Sequence, residues 1–303
     1  MIPRYLIVVT IIILFALTLF LPKQTSNFFA KPLKPQVIAA RAIIDPYPIP
    51  INSFQKAPEI TASSAAIIDL KTGATLYEKN SNLKHLPAST TKLMTALIVL
   101  EKCSPQTIIR VDNVQKIGNQ MGLEVGDQVT VENLILGLLI KSGNDAAYVL
   151  ASACSDSYDN FIAQMNQKTK SLEMLNTRFV NPAGFDDPFQ FSTAADLAKL
   201  ARVAIGNPMI AKIVATKSTV VTDVSGNKNY YLENVNKLLG EVNGVIGIKS
   251  GQTDGALENL ITQTTRDGNS IITVVLGSKD RFGESKKLIE WAFSNYLWVA
   301  PQR

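Results

Sequence analysis

Ser89-Thr90-Thr91-Lys92 is the stretch of this chain best suited to covalent chemistry, because little else in it can activate a nucleophile. The chain has a single histidine, His85, and two cysteines, Cys103 and Cys154. A Ser-His-Asp triad would have to recruit His85, four residues before Ser89 on a Pro-bounded approach, and a zinc site of ordinary His/Cys composition cannot be assembled. A serine nucleophile would therefore take its base from lysine. If Ser89 opens a helix, Lys92 at i+3 lies on the same face, one turn on. The apolar run Leu93 to Leu100 would bury Lys92 and favour the neutral amine, the form that accepts a proton.

Ser-x-x-Lys alone is also what a capped helix start with a surface lysine looks like. Two further motifs follow in order. Ser142-Gly143-Asn144 comes after the apolar run Leu134 to Ile140, and Lys249-Ser250-Gly251 comes after a strand-like Gly244 to Ile248. Ser-x-x-Lys, Ser-x-Asn and Lys-Ser/Thr-Gly in this order are the signature of penicillin-interacting serine enzymes. A literal Lys-Thr-Gly at Lys71-Thr72-Gly73 precedes the nucleophile and joins two short β-like runs, so it reads as a hairpin turn.

Residues 87–96, the segment Asn181-Pro182-Ala183-Gly184-Phe185 with Ser192-Thr193-Ala194-Ala195-Asp196, and the stretch from Asp267 through Arg281 to Trp291 resemble the serine D-Ala-D-Ala carboxypeptidases, the low-molecular-mass penicillin-binding proteins. The resemblance covers roughly residues 59 to 298. It departs at Lys249-Ser250-Gly251, where the family usually has Lys-Thr-Gly, and at Gln190-Phe191, where it often has His-Tyr. The resemblance implies a β-lactamase/transpeptidase-like fold with its site between a sheet and a helical lobe. Ser89 is then the acylating nucleophile, Lys92 the general base and Ser142 the relay to the leaving amine. Asn144 would hold the substrate amide, and Lys249 and Ser250 the substrate carboxylate. Gly251 lets substrate approach the strand, and the backbone N–H groups of Ser89 and Gln252 serve the oxyanion. Arg281 matches a position linked to the terminal carboxylate, against the plainer reading of a surface arginine at a helix start. His85 and Asp186-Asp187 read as loop and turn residues. No cofactor or metal is implied. The implied substrate is the peptidoglycan stem peptide, with β-lactams as covalent inhibitors. A D,D-endopeptidase and a silent wall-binding protein on the same fold are the rivals; a class A β-lactamase lacks a convincing acidic deacylation motif between Asn144 and Lys249.

The elements that must position these residues read as follows. A strand hairpin covers about 64 to 79, and a helix runs from Ser89 to about Lys102. Strands and turns fill 111 to 131. Helices follow near 132–140, 145–154, 158–172 and 193–205, the last capped by Ser192. Strands return at 219–222, 245–250, 257–265 and 270–276, with Asp267-Gly268 as a hairpin turn, and a helix runs from about Arg281 to Trp298. Strands at both ends and helices between predict an α+β layout: an antiparallel sheet built from the N- and C-terminal parts with a helical middle lobe.

Length and charge organise the rest. The 303 residues are 46% hydrophobic and carry a net charge of +5. Six cations and one acid lie before residue 59; the remaining 24 basic and 24 acidic residues cancel, so the catalytic part lacks the basic bias of a nucleic-acid binder. The uncharged run Tyr5 to Pro22 is about the minimum to span a bilayer and lacks a clean small-x-small cleavage site after it. It reads as an uncleaved, single-pass membrane anchor over residues 1–22, followed by a Pro-rich tether (23–58) and the catalytic domain (59–303). More Lys and Arg follow the run than precede it, which by the positive-inside tendency would leave the domain inside. The location of the implied substrate argues for the extracytoplasmic face. The chain ends soon after the last helix, so anchoring is expected of the N-terminal segment. Cys103 and Cys154 each end a motif helix and could form one disulfide outside the cell.

Overall fold

The computed structural model describes residues 46–51 and 55–300. The expected anchor, Tyr5 to Pro22, lies outside them, as does most of the tether. The chain runs through β1 (Tyr47–Pro50), β2 (Ser64–Asp69) and β3 (Thr75–Lys79) to a 3-10 turn (Ala88–Thr91) that continues into α1 (Lys92–Lys102). Then come β4 (Ile108–Arg110), β5 (Gln128–Thr130), α2 (Val131–Leu139), α3 (Asn144–Ala153), α4 (Tyr158–Ser171), α5 (Ala194–Ile205) and α6 (Pro208–Val214). The last part holds β6 (Ser218–Thr222), β7 (Asn229–Glu233), β8 (Val245–Thr253), β9 (Leu257–Arg266), β10 (Asn269–Ser278), α7 (Arg281–Asn295) and β11 (Tyr296–Val299).

The main sheet is five-stranded and antiparallel, in the order β3-β2-β10-β9-β8, so strands from both ends of the sequence share it. Alternation along β10 feeds two cores. Ile272, Val274 and Leu276 face the helical lobe with Leu197 and Ala201 of α5, while Ile271 and Val275 face Leu288, Trp291 and Ala292 of α7. A strand covered on both sides must be apolar at successive positions, and Ile271-Ile272 and Val274-Val275-Leu276 are. α1 is buried from Lys92 through Val99. An all-round apolar helix belongs in the middle of a lobe, and α1 packs against α2, α3, α4 and α5.

Lys71-Thr72-Gly73 is a turn, as its position predicts. The Asp69 carboxylate accepts hydrogen bonds from the Thr72 N–H and hydroxyl, each at 2.7 Å. Other expectations are corrected. The cap of α5 is Thr193, whose hydroxyl accepts from the Asp196 N–H at 3.1 Å, and not Ser192. The final helix stops at Asn295, because Tyr296 to Val299 pairs in register with Tyr47 to Pro50. That pairing also takes four residues out of the stretch read as tether; a short outlying strand tolerates Pro48 and Pro50. α6 and β7 went unread, although Asn207-Pro208 carries a start signal: Asn207 caps the Met209 and Ile210 N–H groups, and Pro208 occupies the first helical turn.

Candidate active site

Ser89 sits in the 3-10 turn that feeds α1, half-buried and lining a pocket of about 480 Å³ with Asn119, Asn144, Phe185 and Asp186. The backbone before it is unusual. Ala88 has φ +48°, a left-handed conformation uncommon outside glycine. Gly184, at φ +90°, presses against this bend; a Cβ there would lie 1.8 Å from the Ala88 carbonyl oxygen. The close approach of the 183–185 loop thus requires glycine.

Lys92 is fully buried at the start of α1. Its Nζ lies 2.9 Å from Ser89 Oγ, 2.7 Å from Asn144 Oδ1 and 2.7 Å from the Ala183 carbonyl. Asn144 gives its Nδ2 to the Ile117 carbonyl at 2.8 Å, which turns Oδ1 toward Lys92. Burial holds the Lys92 amine well below the ordinary lysine range, the cation of Lys249 pushes the same way, and the carboxylate of Asp145 opposes both. A neutral amine has two N–H donors and one lone pair. Asn144 Oδ1 and the Ala183 carbonyl can only accept, so they take both N–H groups. The lone pair is left for the Ser89 hydroxyl, which then donates to it.

The other expected residues converge on the same place. Ser142 lies in the turn between α2 and α3 with φ +59°. Its hydroxyl oxygen accepts from Lys249 Nζ at 2.9 Å, and Lys249 also donates to the Ser250 carbonyl at 2.9 Å. Lys249 is buried on β8, and burial, helped by the nearby Arg281 cation, pushes it down to about 7. A second pocket of about 420 Å³ is lined by Ser89, Ser142, Ser250, Gly251, Gln252 and Arg281. Gly251 brings the β8 edge beside the nucleophile: a Cβ there would stand 2.9 Å from the Ser89 backbone nitrogen. Arg281 Nη1 donates to the Gln252 side-chain oxygen at 3.0 Å and the Gly251 carbonyl at 3.3 Å. Its Nε is buried and has no hydrogen-bond partner among the described residues, and its Nη1 also lies 3.7 Å from the Glu258 carboxylate, so the cation at this pocket is already partly compensated. Asn144 lines the pocket, but both of its polar atoms are engaged with Lys92 and Ile117, so in this structure it positions the Lys92 amine. His85 is a loop residue, with Nδ1 at 3.0 Å from the Leu86 carbonyl.

Sequence reasoning missed several contributors. The buried Asp145 carboxylate takes four backbone N–H groups, from Met121 (2.8 Å), Gly122 (2.9 Å), Leu123 (3.1 Å) and Ala146 (2.9 Å). It pins the loop whose Gly118 and Asn119 line the Ser89 pocket. Gln190 accepts from the Val180 and Asn181 N–H groups and donates to the Phe185 carbonyl, bracing the loop that offers Ala183 to Lys92. Asp186 lines the pocket and accepts from the Thr253 hydroxyl at 2.6 Å, tying that loop to β8. Lys237 adds a cation at the rim of the second pocket. The disulfide that the sequence allowed, Cys103–Cys154, is formed, with Cα atoms 5.7 Å apart, and joins the C-terminal ends of α1 and α3. Among the described residues, no three His, Cys, Asp or Glu side chains gather into a metal-binding group.

Residues 52–280 match the family model of the peptidase S11 D-alanyl-D-alanine carboxypeptidases. The chain is 35% identical over 246 residues to the D-alanyl-D-alanine carboxypeptidase DacF of Bacillus subtilis, covering 78% of this chain and 63% of that protein. It is 36% identical over 264 residues to DacC of Escherichia coli, covering 81% and 64%. It thus spans a little under two thirds of these relatives. Among solved structures, the Streptomyces K15 DD-transpeptidase superposes with a TM-score of 0.73 at 31% identity, covering 79% of this chain and 100% of that one. The carboxypeptidase DacD of Francisella tularensis superposes at 0.74 and 30% identity, covering 83% and 73%. The fold implied by the sequence is therefore the observed one. With three motifs drawn to one cleft and a family model matched across most of its length, the chain belongs to the D-alanyl-D-alanine carboxypeptidase family.

Proposed function

We propose that this protein is a serine carboxypeptidase that removes the terminal D-Ala from peptidoglycan stem peptides ending in D-Ala-D-Ala. The observation that carries this reading is the buried, neutral-favouring Lys92 amine 2.9 Å from Ser89 Oγ, with its other two partners able only to accept. Lys92 takes the Ser89 proton as Oγ attacks the penultimate carbonyl. The Ser89 and Gln252 N–H groups stabilise the oxyanion. A proton returns through Ser142 to the leaving D-Ala amine, the C–N bond breaks, and water then hydrolyses the Ser89 ester. Lys249, Ser250 and Arg281 hold the departing carboxylate, and Gly251 lets the peptide lie along β8. β-Lactams, which carry a comparable carboxylate, acylate the same serine.

The catalytic domain acts on the extracytoplasmic face, held by the Tyr5–Pro22 segment as a single-pass anchor. The Cys103–Cys154 disulfide supports this side, since disulfides persist in oxidising compartments. Protease should digest the domain in intact spheroplasts; protection until lysis would overturn the placement.

Fluorescent penicillin should label the wild type and not Ser89→Ala. Labelling of the folded variant would mean that another serine is the nucleophile. Digestion of defined monomeric and cross-linked muropeptides then separates the reactions. Release of D-Ala from monomers is expected; cleavage of cross-links alone would make the protein an endopeptidase.

A further inference from the structure

Two pockets meet at Ser89. The one lined by Ser250 and Arg281 suits the terminal carboxylate, so the upstream part of a bound stem peptide must leave through the other, past Phe185. That route continues. Asn144, Tyr148 and Ser152 fall at i, i+4 and i+8 on one face of α3. Asn144 lines the Ser89 pocket, whereas Tyr148 and Ser152 line a separate groove of about 440 Å³. The β4–β5 loop repeats the pattern. Its Gly118 and Asn119 line the Ser89 pocket, and its Asp112, Asn113 and Gln115 line the groove. The same two segments therefore wall both spaces.

An aromatic row marks the path. The Phe185 ring lies 6.2 Å from that of Tyr148, which stacks on Tyr158 at 6.0 Å and 3°. From Asn144 to Ser152 the helix rises ~12 Å. Four extended residues, the length of a stem peptide upstream of the scissile bond, reach ~14 Å. What arrives at Tyr148 and Tyr158 is thus whatever carries the stem peptide's N-terminal end. The groove's chemistry is that of a neutral, hydroxyl-rich ring. Aromatic rings with polar tips supply an apolar face and a hydrogen-bonding edge, and the exposed amides of Asn113 and Gln115 supply donors and acceptors. Arg110 lies 3.9 Å from Asp112, so the one charged pair in the groove is self-compensating.

We propose that this groove binds the amino-sugar end of the peptidoglycan unit whose stem peptide occupies the catalytic pocket. The proposal rests on the carboxypeptidase reading above. It makes the glycan a second point of recognition, which a short D-Ala-D-Ala peptide cannot use.

The test compares wild type, Tyr158→Ala and Gln115→Ala on two substrates, a disaccharide pentapeptide and a short N-acylated peptide ending in D-Ala-D-Ala. Tyr158→Ala should lower kcat/KM for the disaccharide pentapeptide about tenfold, the size of a lost aromatic anchor, through KM. It should leave the short peptide and penicillin acylation unchanged. Gln115→Ala, on an exposed loop, should give a smaller loss with the same selectivity, and decides the matter if Tyr158→Ala does not fold. Equal losses on both substrates, or none on the longer one, would overturn the groove. In a separate titration of the wild type, the peptide-free disaccharide N-acetylglucosaminyl-N-acetylmuramic acid should shift the NMR signals of Tyr148 and Tyr158. If wild type releases D-Ala from neither substrate, the carboxypeptidase reading fails by itself. The titration then judges the groove: saturable shifts support it and their absence overturns it.

Discussion

Asp145→Asn changes one atom and should have two separable effects. In the wild type each carboxylate oxygen accepts two N–H groups: Oδ1 those of Met121 and Ala146, Oδ2 those of Gly122 and Leu123. Asparagine keeps one oxygen. Its NH2 must face two N–H donors with nothing to accept them. Hydrogen bonds to a charged group contribute ~1.5–3 kcal/mol each, and a stranded buried donor costs ~1–3 kcal/mol. Partial relaxation of the 121–123 loop places the net loss at about 3–5 kcal/mol. At ~2–4 °C per kcal/mol for a domain of this size, the Tm should fall by roughly 10 °C. The second effect is electrostatic. Asp145 raises the Lys92 pKa against burial and the Lys249 cation, so removing its charge lets that pKa fall further. Because Lys92 must be neutral to accept the Ser89 proton, the acidic limb of the acylation rate should move to lower pH. Calorimetry measures the first effect, and penicillin acylation rates from pH 4 to 8 on the folded fraction measure the second. A limb that stays put or moves to higher pH would refute the electrostatic account, and an unchanged Tm the structural one.

Lys92→Arg keeps a cation but removes the base, since arginine holds its proton above pH ~12; acylation should collapse, and near-normal labelling by fluorescent penicillin would show that another group takes the proton. Lys249 is pushed down to about 7 and must be charged to hold a carboxylate, so kcat/KM should decline above that pH for a D-Ala-D-Ala acid. A substrate ending in a carboxamide should lack this alkaline decline, and a matching decline would remove Lys249 from carboxylate binding. The Cys103–Cys154 bridge closes a separation of 51 residues, for which loop entropy gives a stabilisation of about 4 kcal/mol. Replacing both cysteines by serine should lower unfolding free energy by about 2–4 kcal/mol in urea titration, and a loss under 1 kcal/mol would contradict this.

The proposed catalytic set was legible because its chemistry needs particular side chains at particular spacings. Ser89 and Lys92 stand one turn apart, and Ser142 and Lys249 follow in order. The sheet was legible because short β-branched, apolar runs bounded by turn residues, such as Ala65 to Ile68 and Ile271 to Leu276, occur on both sides of the helical middle. What escaped has a common physical cause. Asp145 acts through backbone N–H groups, which leave no mark on the identities of Met121, Gly122 and Leu123. An acid next to a Ser-x-Asn motif at a helix start looks like ordinary first-turn charge. Gln190 likewise braces backbone atoms of Val180, Asn181 and Phe185. Tyr296 to Val299 looked helical because its strand partner lies about 250 residues upstream in a proline-rich stretch that no local rule reads as a strand.

The same cause explains why the roles of the lysine pair and the neutral form of Lys92 could be expected from the sequence, whereas the acceptors that orient its lone pair could not. Ser-x-x-Lys predicts that an amine reaches a hydroxyl. The apolar run after it predicts burial and the neutral form, but not everything that reaches the nitrogen. That depends on three things assembled from distant segments. α1 is buried on all sides, Lys249 arrives on β8, and Asn144 and Ala183 present two acceptors and no donor to the same nitrogen. Replace either acceptor by a donor, and the lone pair would be drawn away from Ser89. The loops that hold those acceptors in place, pinned by Asp145 on one side and by Gln190 and Gly184 on the other, therefore control the base as directly as the burial of Lys92 does.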